Sequence, residues 1–427
     1  MAIEQDLYGF CKDIFPICRS ITGQGVRTTL EKIQAVCPEL KIHAVKSGTH
    51  VFDWTVPKEW CIREAYIEHE SGKRFAEFKN CNLHVLGYSA PIDRHLQLAE
   101  LKQYIYTMPE NPDAIPYVTS YYKERYGFCM SENDKNSLPD GSYHIFIDSE
   151  LKDGELNYGE LLIKGRSQKE ILLSTYICHP SMANDNASGI ALAAYLGKWL
   201  GSKGNLRYSY RIIFIPETIG AITYLSRNLS LLKQNVAAGF VLSCVGDNRD
   251  FSLVRSRYGN TLADKAACTV LRFKNNFRDY IFLHRGSDER QFNAPGVDLP
   301  VCTVCRSKFG CFPEYHTSKD DLSFISQDGL KGAFDAMTEC LEALENNHFY
   351  RVTCLCEPQL GKRGLYTTLS SRTSYTNERL ISNIIAYSDG RNDLFDLCRI
   401  LNCPPNVLLP YIKILTEQGL LSFSEEN

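Results

Sequence analysis

No apolar run in this 427-residue chain approaches the roughly 20 residues that span a bilayer, so no transmembrane helix is expected. No charge dominates either. Lys and Arg number 47 and Asp and Glu 50, for a formal net charge of −3 at pH 7. That balance gives no overall case for nucleic acid or a membrane surface as partner. The N-terminus, Met1-Ala2-Ile3-Glu4-Gln5-Asp6, lacks the basic and apolar regions of a signal peptide, and a cytoplasmic protein is expected. Repeats and low-complexity tracts are absent. Cysteine is not scarce, at 17, but the thiols are scattered. In a reducing compartment they read as free, buried, small hydrophobes. Cys302-x-x-Cys305 and Cys354-x-Cys356 have no second pair at finger spacing, so neither reads as a zinc clip. The apolar share of 44% and charged share of 23% are ordinary for a globular protein. The length suggests two to four domains at roughly 100–200 residues each.

Leu7, Phe10, Ile14 and Ile17 recur at helical spacing, and a second apolar stripe runs through 26–36. Between them lies the turn Arg19-Ser20-Ile21-Thr22-Gly23-Gln24-Gly25. From about 43 to 127 the texture is short, β-branched and aromatic. Segments 51–57, 66–68 and 83–88 read as strands of a small inserted β-rich domain. After the turn Pro139-Asp140-Gly141, near-continuous apolar runs at 170–176, 210–215, 238–242 and 299–304 read as buried strands. Helical patterns at 188–200 and 328–346 alternate with them. Such alternation predicts an α/β domain (1–42 and 128–350) with a mostly parallel sheet between two layers of helices. Three short helices and a strand in 351–427 outline a winged helix-turn-helix domain.

In open α/β sheets, ligands bind beyond the carboxyl ends of the strands. Three such ends carry acids or imidazoles here. Cys178-His179-Pro180-Ser181-Met182-Ala183-Asn184-Asp185-Asn186-Ala187-Ser188-Gly189 follows the first strand. A neutral imidazole and a carboxylate are standard zinc ligands, although Asp185 also suits a helix cap. Glu217, in Pro216-Glu217-Thr218-Ile219-Gly220, follows the second. A carboxylate there can act as general base on a metal-acidified water. Glu314-Tyr315-His316-Thr317-Ser318-Lys319-Asp320 offers a second imidazole, with Asp320 as a candidate partner that orients it. One zinc on His179, Asp185 and His316, with water in the fourth position, is a complete catalytic set. Tyr315 and Arg290 are candidates for binding substrate or an oxyanion. Arg19 suits a substrate carboxylate or phosphate, or a structural salt bridge.

These motifs resemble the zinc aminopeptidases related to bacterial leucyl aminopeptidase and glutaminyl cyclase. Asn184-Asp185-Asn186-Ala187-Ser188-Gly189 looks like their metal-bridging segment, and Glu217-Thr218-Ile219-Gly220 their Glu-Glu-x-Gly. Ser287-Asp288 with Phe292, and Tyr315-His316-Thr317, look like their later motifs. Arg19-Ser20-Ile21-Thr22-Gly23, Val51-Phe52-Asp53-Trp54-Thr55-Val56-Pro57, Tyr88-Ser89-Ala90-Pro91 and Tyr176-Ile177-Cys178-His179-Pro180-Ser181 are similar to a bacterial aminopeptidase-like family. Its members have an inserted domain and a C-terminal winged helix, and are often associated with polysaccharide biosynthesis. The resemblance implies a cytoplasmic zinc metallohydrolase that cleaves an amide bond, aminopeptidase-like, with a peptide or aminoacyl small molecule as substrate. Alternatives are an amidase or cyclase acting on an aminoacylated sugar, and an inactive binding or regulatory protein.

Two departures bear on the metal count. Thr218 stands where the two-zinc enzymes have a second Glu, and Ser243 where they have a ligand Asp. One zinc is therefore expected, and two only if Asp247 reaches back. In the tail, the second helix (406–418) has Lys413 as its one basic residue, whereas DNA readers show a basic face. Protein contact or homo-oligomerisation suits the tail at least as well as nucleic acid.

Overall fold

The structure, a computed structural model, describes residues 2–365 and 372–424, with only the backbone of 372–378. Among these residues one sheet has eight strands. Their spatial order is Lys41–Lys46, Glu155–Ile163, Ser209–Ile215, Glu170–Tyr176, Val236–Leu242, Val301–Cys305, Phe251–Val254 and Phe277–Tyr280. The middle four run parallel; antiparallel pairings flank them on both sides, and Phe277–Tyr280 pairs in parallel with Phe251–Val254 at one edge.

Side-chain alternation explains why the central strands read as unbroken apolar runs. Ile171 and Leu173 enter one core, while Leu172 and Tyr176 enter the other. Tyr210, Ile212 and Phe214 likewise face away from Ile213 and Ile215. Helices Ile3–Ile14, Gln24–Val36, Gly189–Gly201, Leu262–Leu271 and Gln327–Glu345 cover the first face, and Ile219–Asn235 the second. Both faces of each central strand are dry, as in doubly covered parallel sheets. The α/β sandwich expected from the sequence is the fold observed.

The expected limits of the inserted domain, 43 and 127, do not coincide with the sheets. Lys41–Lys46 pairs with Glu155–Ile163 in the main sheet. A separate four-stranded sheet is built from Arg74–Phe75, Glu59–His69, Ser142–Lys152 and Ile92–Gln97. Ser142–Lys152 lies well past 127 because Glu59–His69 needs it as its long antiparallel partner. Segment 83–88 is not a strand: Asn82–His84 is a 3-10 turn. Segment 51–57 is a tight hairpin of His50–Val51 and Trp54–Thr55.

The tail contains helices Arg372–Tyr387, Leu394–Leu401 and Pro405–Glu417 and the strand Leu421–Ser424. That strand pairs with Phe349–Val352, so the tail's sheet begins before the expected boundary at 351. Leu394, Phe395, Leu397, Leu408, Ile412 and Leu415 belong to the same apolar cluster as the helices over the first face.

Candidate metal centre

The site lies at the carboxyl end of the parallel strands. Strand Glu170–Tyr176 delivers Cys178 and His179, and strand Ser209–Ile215 delivers Glu217. Asp185 is held by its neighbours. Asn184 accepts the Gly246 N–H (2.7 Å), and Asn186 donates to Thr175 Oγ1 (2.9 Å) and the Tyr176 carbonyl (3.1 Å). The two asparagines thus pin the segment to the neighbouring strand ends. Gly189 completes the packing: a Cβ there would lie 2.6 Å from the Leu242 carbonyl oxygen.

Donor atoms of His179, Asp185 and His316 all lie within 4.8 Å of one another. Asp185 Oδ2 is 3.1 Å from His316 Nε2 and 4.0 Å from His179 Nε2. Beyond that 3.1 Å contact with each other, Asp185 Oδ2 and His316 Nε2 are buried with no hydrogen-bond partner. Leaving such atoms unpaired is costly, and a cation between them removes the cost. The donor set, two imidazoles and a carboxylate, suits zinc. Burial, opposed in part by Asp185, holds His179 down to about 4, so its ring is neutral and able to ligate. Burial alone would raise Asp185, but the imidazoles and a Tyr176 hydrogen bond bring it down to about 2.

Groups behind the donors fix their orientation. Tyr176 donates its hydroxyl proton to Asp185 Oδ1 and lies 2.6 Å from Ser243 Oγ. Cys178 Sγ is 3.3 Å from His179 Nδ1 and accepts the Glu217 N–H at 3.3 Å. Glu217 Oε2 is 3.9 Å from His179 Nε2. Burial, followed by the negative charges of Asp288 and Asp185, raises the Glu217 carboxyl well above its ordinary range. Asp288 accepts the Thr218 N–H at 2.8 Å, and burial raises it to about 7.

Three expected roles need correction. Asp247 does not turn to the metal group. Its carboxylate takes Asn184 Nδ2 (3.2 Å), the Arg249 N–H (2.8 Å), and the Ser307 N–H and hydroxyl (2.9 and 2.8 Å). Asp320 does not orient His316, because its oxygens accept the backbone N–H groups of Asn184 (2.6 Å) and Asp185 (2.8 Å). Arg19 is neither a substrate anchor nor a salt bridge. It is 1% exposed and donates to the carbonyl oxygens of Ile14 and His179.

A cavity of about 240 Å³ opens on His179, Glu217, Thr218 and His316. Aromatic residues line it as well: Trp54, Tyr117, Tyr121 and Tyr122. Tyr315 and Arg290 do not line it. Tyr315 stacks on His316 with centroids 3.9 Å apart, and Arg290 donates to Thr218 Oγ1 at 2.6 Å. Tyr176, Cys178 and the tyrosines at 117 and 121 were not among the expected site residues, and Asp288 stood only within a motif with no role given. Cys178 abuts His179 in sequence and Tyr176 stands three residues before it, which is a usable signal for supporting groups. For the two distant tyrosines, the paired aromatics near Pro116 give no hint of their destination.

A largely parallel sheet with donors at its carboxyl ends defines an aminopeptidase-like α/β protein. The zinc aminopeptidase BSAP of Bacillus subtilis shares the fold, with TM-score 0.56 at 12% identity over 80% of this chain and 94% of that one. The chain belongs to the family described as Domain of unknown function (DUF4910), whose profile matches residues 8–347. A winged helix-turn-helix profile matches 348–423. A Clostridium acetobutylicum protein is 47% identical over 396 residues, 92% of this chain and 90% of its own length. It is provisionally named a polysaccharide biosynthesis protein with an aminopeptidase-like domain. A crystal structure of a protein from the same organism, provisionally termed a peptidase, superposes with TM-score 0.92 at 44% identity. It covers 99% of this chain and 96% of that one.

Proposed function

We propose that the chain is a metallohydrolase that cleaves an amide bond, with zinc held by His179, Asp185 and His316. The observation that carries this is the convergence of Asp185 Oδ2 and His316 Nε2, buried with no partner but each other, with His179, whose Nε2 lies 3.9 Å from the carboxyl of Glu217. Bound zinc supplies Lewis acidity, which polarises a carbonyl and acidifies water. Glu217 is the general base. Its carboxyl, 3.9 Å from His179 Nε2 and lining the same cavity, is placed to take a proton from the attacking water and pass it to the leaving nitrogen. Tyr176 occupies the second oxygen of Asp185 and Asp247 is spent on Asn184, Arg249 and Ser307, which supports one metal rather than two.

The substrate class that fits is a peptide or an aminoacyl small molecule. An amidase or cyclase reaction on an aminoacylated sugar is a second reading. The aromatic wall of the cavity favours it, because flat faces suit rings, and so does the name of the Clostridium relative. A cytoplasmic location and a self-association or partner-binding role for the tail complete the proposal. Among the described residues no helix is long and apolar enough to cross a membrane.

Zinc-loaded protein should cleave members of a panel of aminoacyl p-nitroanilides and aminoacyl hexosamines. Glu217→Gln should keep the zinc and lose about 10²–10⁴-fold in kcat. An unchanged rate in Glu217→Gln would refute the assignment of the base.

A further inference from the structure

We propose that the inserted segment supplies a catalytic donor: the hydroxyl pair of Tyr117 and Tyr121 donates a hydrogen bond to the oxygen of the carbonyl under attack. This deepens the hydrolase reading above and rests on it.

The first ground is position. Tyr117 and Tyr121 line the same cavity as His179, Glu217 and His316. The Tyr117 ring lies 5.2 Å from both imidazole centroids. Both phenols lie within Coulombic reach of Glu217 and Cys178.

The second ground is anchoring. The Tyr117 N–H donates to the His316 carbonyl at 2.8 Å, and Pro116 bridges to Thr317. Ser318 N–H donates to the Ile115 carbonyl at 2.9 Å, and Ile115 N–H to Ser318 Oγ at 3.0 Å. The segment that carries the tyrosine is therefore tied to the segment that carries the second imidazole. Such ties hold a donor in place before the reaction, which is what makes it effective.

The third ground is a count of protons. The two hydroxyl oxygens are 2.7 Å apart. Each phenol has one proton and accepting capacity. The pair spends one proton internally and keeps one to give outward.

The fourth ground is the lack of spare donors on the strand that carries Glu217. The Glu217 N–H goes to Cys178 Sγ, the Thr218 N–H to Asp288, and the Ile219 N–H to the Glu217 carbonyl at 2.8 Å. These three backbone amides are therefore not free to serve the carbonyl oxygen.

In the reaction, Glu217 takes one proton from the attacking water as the water oxygen bonds to the carbonyl carbon, and the π pair moves onto the carbonyl oxygen. The outward phenol proton stabilises that oxygen without leaving the tyrosine. As the pair returns, the C–N bond breaks and the nitrogen takes its proton from Glu217.

The test compares full-length wild type, Tyr117→Phe, Tyr121→Phe and the double variant. The readouts are zinc content, kcat and KM on the anilide panel, and calorimetric affinity of the zinc-loaded protein for acetohydroxamate. Phe keeps the ring against the imidazoles, so zinc is expected to stay. Each single variant should lose about 10²-fold in kcat with KM nearly unchanged, and about tenfold in acetohydroxamate affinity. The double variant should fall little further, because the hydroxyls act as a unit. Zinc retained with unchanged kcat and probe affinity overturns the proposal; the probe decides alone if no panel member is cleaved. Zinc lost from Tyr117→Phe also overturns it, by making the tyrosine a support for the ligands. A wild type that takes up no zinc, or that takes it up but binds no acetohydroxamate, fails the hydrolase reading itself and the proposal with it.

Discussion

Asp185 has two oxygens in different situations. Oδ1 accepts a hydrogen bond from the Tyr176 hydroxyl, and Oδ2 faces the imidazoles with no other partner. The sequence showed the carboxylate and both imidazoles, because each follows a buried run that reads as a strand. It did not show which acids would be consumed elsewhere: Asp247 and Asp320 had the right type and neighbourhood, but backbone amides claim them. Cys178 is the supporting group most open to test. Cys178→Ala removes the sulfur beside His179 Nδ1. By analogy with other groups that orient metal ligands, it should weaken zinc binding about 10–100-fold in a chelator competition. Asp288 makes a stability prediction. Its folded value of about 7 lies above the ordinary 3.8, so the folded state binds the extra proton between them. The stability this contributes is full below about pH 4 and is lost as pH rises through 7. Asp288→Asn cannot ionise and can still accept the Thr218 N–H. In the metal-free protein its thermal midpoint, relative to wild type, should be higher at pH 8 than at pH 5.

At the scale of elements, the central strands and their helices were legible because burial on both faces leaves long apolar runs. The edge strands were not. Lys41–Lys46 is mostly exposed and Phe277–Tyr280 partly so, and neither has a run to read. The insert's limits were misplaced because Ser142–Lys152 finds its partner some 80 residues upstream. The turn Arg19-Ser20-Ile21-Thr22-Gly23 stood out in the sequence without a visible reason. The structure supplies one: Thr22 accepts the Trp60 N–H at 3.1 Å, and Arg19 holds the His179 carbonyl at 2.6 Å. The turn joins the insert to the metal loop. Gly189 is the element-scale test. Gly189→Ala would push a methyl against the Leu242 carbonyl and Asn186. A loss of about 1–3 kcal/mol is expected in urea unfolding, together with weakened zinc retention, since Asn186 adjoins Asp185.

Across the whole molecule, the insert lines the site and the winged helix packs on helices Leu262–Leu271 and Gln327–Glu345 of the α/β domain. Helix Pro405–Glu417 packs on Gln327–Glu345, and Arg272 donates to the Cys398 carbonyl at 2.9 Å. The sequence outlined the tail's helices but not this attachment, since its apolar residues could equally have formed a private core. A chain ended after residue 347 would bare the apolar surface now covered by Leu394, Phe395 and Leu397. It should aggregate or melt well below the full chain in a thermal scan, while an independent tail would leave the melting point in place.

The central claim is one catalytic zinc on His179, Asp185 and His316. Elemental analysis of protein purified without chelator or added metal tests it most directly, alongside His179→Ala, Asp247→Ala and Glu217→Gln. The account predicts about one zinc per chain, absent from His179→Ala and kept in both other variants. Zinc absent from wild type even after reconstitution, or lost on Asp247→Ala with the fold intact, would contradict it.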